Sequence, residues 1–108
     1  MTTANKRDVQ HPGKTLRQRM ESAGLTAAAL SRNLNVPTNR VTGILNGQRA
    51  ITGDTALRLA HFFQTAPEFW LGLQTEHDLH LARKNKGREI ISLPTIDSSG
   101  SSNVKRRA

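Results

Sequence analysis

Thr38, Asn39, Arg40, Thr42, Gly43 and Asn46 stand together in the stretch TNRVTGILN. Val41, Ile44 and Leu45 fall there at the i, i+3 and i+4 positions of a helix face that must turn inward. The six others are left mostly on the opposite side. Asn can pair with an adenine edge, Arg with guanine, and the methyl of Thr can touch that of thymine. A helix face that meets only water is normally filled with Glu, Lys and other strong helix formers. This face holds short hydrogen-bonding groups, a glycine that permits close approach, one arginine and no carboxylate. From Ser22 to Gly53 no residue is acidic, while Arg32, Arg40 and Arg49 are basic. The chemistry is that of reading base edges.

Such a face needs elements to present it. Thr26 is a good N-cap for a preceding helix whose buried side is Leu30 and Leu34. Asn35, tolerant of left-handed backbone, marks a turn at Leu34-Asn35-Val36-Pro37, and Pro37 opens the next helix. Helix, tight turn and second helix outline a helix-turn-helix, whose second helix enters the major groove. Thr38, Asn39, Arg40, Thr42, Gly43 and Asn46 are therefore the expected base or groove contacts. Thr26, the free N–H groups at the start of that first helix, Ala27 among them, and Arg49 are the expected phosphate contacts.

Around this pair, His11-Pro12-Gly13 opens a helix carried by Leu16 and Met20 and ended by Gly24. Thr52 caps a fourth helix, with Asp54 in its first turn and a stripe of Ala56, Leu59, Ala60 and Phe63. A fifth begins at Pro67 and runs through Phe69, Trp70, Leu73 and Leu79 to about Arg83, with Phe69-Trp70 as its core anchor. Asn85-Lys86-Gly87 ends it, and Glu89-Ile90-Ile91-Ser92-Leu93, bounded by Gly87 and Pro94, reads as a strand. A lone strand leaves its edges unpaired; pairing with a copy across a two-fold axis satisfies them, so Ile90, Ile91 and Leu93 are expected at a homodimer interface. The expected organisation is a flexible N-terminus over residues 1–10, a DNA-binding domain with dimerisation strand over 11–94, and a disordered basic tail over 95–108.

The chain has 108 residues, room for one small domain, and no cysteine, which excludes disulfides and Cys-based zinc sites. Sixteen Lys and Arg against eight Asp and Glu give a net charge of +8, the footprint of a binder of nucleic acid or of a membrane surface. No apolar run approaches the roughly 20 residues that span a bilayer, and MTTANKRDVQHPG lacks the apolar core of a secretory signal. A soluble, cytoplasmic protein is expected. His77 and His80 lie three apart without a third convergent ligand, so they read as a polar helix face and no metal or cofactor is expected. His61 reads as a boundary residue. No nucleophile has partners for catalysis and there is no glycine-rich phosphate loop, so an enzyme is not expected.

The blocks HPG at 11–13, NRVTGILNGQRAITGDTALRLAHFF at 39–63, PEFWLGLQ at 67–74 and DL at 78–79 resemble the HigA antitoxins, which are XRE-type, lambda-repressor-like helix-turn-helix proteins. The likeness covers about His11 to Ala82. It implies an all-α, five-helix domain that dimerises, binds a palindromic operator on double-stranded DNA and represses its own operon in a bacterial cytoplasm, on the nucleoid when bound. It also implies neutralisation of a RelE-like, RNA-cleaving toxin. Ser31 and Asn35 stand where the family commonly has Ala and Gly, Ala66 where it often has a Ser cap, and His77 where Tyr is frequent. A stand-alone XRE-type repressor without a toxin, and a docking module that binds only protein, are the other classes weighed.

Overall fold

The first four helices start and stop on local devices that the sequence supplies. His11 Nδ1 accepts the Gly13 N–H at 3.0 Å, Thr26 Oγ1 the Ala29 N–H at 3.1 Å, and Thr52 Oγ1 the Thr55 N–H at 3.4 Å. Each satisfies an N–H that has no intrahelical partner. At the other ends, Gly24, Asn35, Gly47 and Gln64 adopt left-handed backbone with φ of 66°, 56°, 75° and 59°. The result, in a computed structural model that describes residues 10–96 and 104–105, is α1 (Pro12–Ala23), α2 (Ala27–Leu34), α3 (Thr38–Leu45), α4 (Gly53–Phe63) and α5 (Pro67–Ile91). Two short strands follow, β1 (Thr95–Ile96) and β2 (Val104–Lys105). Pro37 stands one residue before α3 rather than inside it, as an N-cap without a side-chain bond. The chain divides into a unit through Asp78 and a unit from Leu79.

The first unit has a single apolar core to which every helix contributes: Leu16 and Met20, Leu30 and Leu34, Val41 and Ile44, Leu59 and its alanine neighbours, and Trp70, with Ile51 from the loop before α4. Burial of a side chain of this size contributes about 1.5–3 kcal/mol. Trp70 is the largest member, fully buried, with its indole N–H donating to Thr65 Oγ1 at 2.9 Å. Its neighbour Phe69 corrects the expected anchor pair. That ring is 38 % exposed, edge-on to Trp70, and the Arg19 guanidinium lies 5.0 Å from its centroid. Consecutive positions 69 and 70 differ by about 100° on a helix, so with Trp70 at the centre of the core Phe69 lies at its margin.

The second unit departs from the expected strand. Glu89, Ile90 and Ile91 are helical, because α5 continues through Gly87 to Ile91. A single glycine costs a helix only about 1 kcal/mol, and no proline intervenes before Pro94. The i, i+3 pair Lys86 Nζ–Glu89 Oε1 at 3.6 Å bridges the glycine, and Ser92 Oγ then donates back to the Arg88 and Glu89 carbonyls. Extended backbone starts only after Pro94. There β1 pairs antiparallel with β2 of the same chain, Thr95 opposite Lys105 and Ile96 opposite Val104, inside the stretch expected to be a disordered tail. The flexible N-terminus expected over 1–10 lies outside the described residues except for Gln10, and so do tail residues 97–103 and 106–108. Among the described residues no helix is long and apolar enough to cross a membrane.

Candidate nucleic-acid interface

The reversal between α2 and α3 is fixed by backbone bonds. Asn35 N–H reaches the Arg32 carbonyl at 3.2 Å and Val36 N–H the Ser31 carbonyl at 3.1 Å, the pairing that ends a helix on a left-handed residue. Ser31 is buried here with its hydroxyl donating to the Ala27 carbonyl at 2.7 Å, so a polar atom is accommodated where a methyl would do. From α4, Arg58 Nη1 donates to the Leu34 carbonyl at 2.8 Å and closes the last turn of α2. On the other flank α1 approaches α3 so closely that a Cβ on Gly13 would overlap the Ile44 carbonyl. Val41 and Ile44 are pinned inward by these contacts.

Thr38, Asn39 and Asn46 are left exposed, and Thr42 and Gly43 half-buried, on the outer side of α3. Asn39, Gly43 and Asn46 follow one another at i, i+4 and i+7, so they share one stripe. Arg40 lies apart from them. Its Nη1 is 2.6 Å from Asp54 Oδ2 on α4, and the same oxygen accepts Arg58 Nε at 2.9 Å. The two guanidinium groups, Arg58 foremost and then Arg40, hold the Asp54 carboxyl below the usual carboxylate range. The pairing across α3 and α4 was missed in the sequence, where Asp54 reads as a favourable charge at a helix start. No periodic signal links residues fourteen apart on different helices.

Gly43 has a role other than the open approach inferred for it. A Cβ there would meet Arg49 Cβ at 3.2 Å, so the missing side chain is the space in which Arg49 lies along α3. Gly47 turns the chain back for this, its N–H bonding to the Ile44 carbonyl and the Gln48 N–H to the Gly43 carbonyl. Arg49 is exposed and joins Arg40, Thr52, Thr55 and Arg58 around a shallow depression beside α3. Thr26 Oγ1 is occupied by its own cap bond, while the N–H groups of Ala27 and Ala28 open α2 with no intrahelical acceptor.

Two histidines meet behind the α3–α4 loop. His11 and His77 stand edge to face with centroids 4.9 Å apart, and His77 Nδ1 is buried without a hydrogen-bond partner. Burial, then the charge of His77, push His11 below its usual pKa, against smaller opposing effects of Asp78 and of hydrogen bonding to the Arg49 backbone. His77 is thus half-buried, with its ring against that of His11 at the start of α1. Among the described residues no three His, Cys, Asp or Glu side chains converge as metal ligands.

The same architecture recurs in known proteins. Residues 16–70 match the helix-turn-helix family. Virulence-associated protein I of Dichelobacter nodosus is 41% identical over 85 residues, 78% of this chain and 79% of that protein. An addiction module antidote protein of the HigA family from Coxiella burnetii is 51% identical with a TM-score of 0.74, covering 76% of this chain and 90% of that one. The antitoxin GraA, solved in complex with its operator, is 43% identical with a TM-score of 0.77 over 82% of this chain and 92% of that one.

Proposed function

This chain belongs to the HigA family of XRE-type helix-turn-helix proteins, and we propose that it is the antitoxin of a type II toxin–antitoxin pair. As a homodimer in the bacterial cytoplasm it binds a palindromic operator, represses its own operon, and neutralises a RelE-like, RNA-cleaving toxin. The observation that carries the DNA reading is the outer side of α3. It presents Thr38, Asn39, Thr42 and Asn46 with Arg40 at its edge, and the nearest carboxylate, Asp54, is already held by two arginines. In this reading those residues meet base edges, with Gly43 between them. Arg49 and the N–H groups after Thr26, beginning with Ala27, hold phosphates on either side. The operator complex of GraA supports the same use of the fold here.

Ile90, Ile91 and Leu93 remain the proposed dimer contacts, now on the last turn of α5 and just beyond it rather than on a strand. They are 55, 70 and 52 % exposed, an apolar cluster that a second subunit would cover. A second reading, a stand-alone repressor, draws on the charge: a net +8 chain repels a toxin that is itself basic. Footprinting of the region upstream of the gene at stated salt tests the DNA role. An inverted repeat with half-sites about one helical turn apart should be protected. Co-expression with the neighbouring reading frame tests the other role. Copurification and restored growth are expected, and a protected operator with neither leaves the stand-alone repressor.

A further inference from the structure

We infer that Asp54 is a positioning residue that sets DNA specificity by keeping Arg40 a reader of bases instead of a clamp for phosphate. This rests on the reading of α3 as the recognition helix. Arginine is a flexible side chain with many rotamers, and near DNA the highest density of partners is the phosphate backbone. A lone arginine at the edge of a recognition helix therefore has two competing fates. Here Asp54 Oδ2 takes Nη1 of Arg40 at 2.6 Å, and the rest of the guanidinium makes no hydrogen bond among the described residues. One edge of the fork is spent and the remaining donors stay free for a base. Asp54 is in turn fixed from behind by Arg58 Nε at 2.9 Å, and Arg58 is tied to the Leu34 carbonyl at the end of α2. The carboxylate that directs Arg40 is thus anchored to the helix-turn-helix itself. Its negative charge also lowers the positive potential around Arg40, which leaves Arg49 as the stronger anion site of the depression they share.

Two effects follow that a purely structural ion pair would not produce. In Asp54→Asn, affinity for a scrambled duplex rises and the slope of log affinity against log salt steepens by about one, as a released arginine gains a phosphate. The ratio of affinity for the footprinted repeat to that for the scrambled duplex falls about tenfold, the size of one lost base contact. Asp54→Glu, which keeps the carboxylate, restores part of the ratio. In an Arg40→Ala background Asp54→Asn leaves the ratio unchanged, because the residue through which it acts is gone. The measurement is fluorescence anisotropy on both duplexes across a salt series, with thermal unfolding of each variant alongside. A protected repeat in the wild type with an unaltered ratio in Asp54→Asn, or an equal fall in the Arg40→Ala background, overturns the assignment alone. Wild-type protein that protects no repeat overturns the recognition-helix reading and this assignment together.

Discussion

Gln74 of α5 accepts the Ile51 N–H at 2.8 Å, and its own amide donates to Asp78 Oδ1 at 3.0 Å. Gln74 is buried, so this one side chain satisfies the Ile51 N–H in the loop that leads from Arg49 to α4. A buried N–H left without its acceptor costs about 1–3 kcal/mol. Gln74→Ala should lower the unfolding free energy by that amount in urea titrations. Gln74→Glu keeps an acceptor for Ile51 but sets a carboxylate against Asp78, so its deficit should grow as the pH rises through the carboxylate range. A Gln74→Ala protein as stable as wild type would mean that the loop finds its bonds elsewhere.

The approach of Gly13 to Ile44 makes a second prediction. The obstacle to a Cβ is a backbone carbonyl in the last turn of α3, not the end of a mobile side chain. Gly13→Ala must therefore push α1 away from α3. Overpacking of this kind costs about 1–3 kcal/mol. For a domain of this size each kcal/mol lowers Tm by about 4–8 °C, which calorimetry resolves. The favourable helix propensity of alanine would make the same change neutral or stabilising if α1 could slide.

His11 gives the fold a pH dependence with a definite sign. Burial and the facing His77 lower its pKa below the ordinary 6.5, so the unfolded chain takes up the proton first. The stability it contributes is complete above pH 6.5 and is lost as the pH falls through the folded value. Protonation also removes the Nδ1 lone pair that caps α1 through Gly13. Denaturation midpoints should fall between pH 7.5 and 5.5, and His11→Asn, which can still cap, should flatten that slope. Asp54 acts in a separate window: its depressed pKa gives stability that is present above 3.8 and lost under more acid conditions.

Capping and periodicity carried most of the fold into view from the residues alone. Thr26 and Thr52 cap as their types suggest, Asn35 turns left-handed where expected and Gly24 ends α1, whereas the cap that His11 makes was not foreseen. What escaped was decided by partners distant in the chain. Nothing near Gly13 tells that Ile44 lies against it, and nothing near Gly43 tells that Arg49 fills its place. The error over Glu89–Leu93 has a different origin. Branched apolar residues after a glycine suit a strand, but a helix already 20 residues long crosses Gly87 at small cost because no new nucleus is needed. The outer residues of α3 were legible as a polar face, whereas the restraint on Arg40 was not, since it comes from another helix.

Gly43 separates stability from DNA binding. Inside α3 it costs the helix about 1 kcal/mol relative to alanine, so Gly43→Ala should help the fold. Its new Cβ would stand 3.2 Å from Arg49 Cβ, a contact too tight to keep, and Arg49 is on an exposed loop that can move. The loop is expected to yield, with Tm unchanged or a few degrees higher. Arg49 is then displaced from α3, and with it the proposed phosphate contact. Affinity should fall by a similar factor for operator and scrambled duplexes, and the salt slope should become shallower by about one. A loss confined to the operator would instead make position 43 part of the base-reading surface, as its place between Asn39 and Asn46 first suggests. Titrations of both duplexes at two salt concentrations distinguish these outcomes.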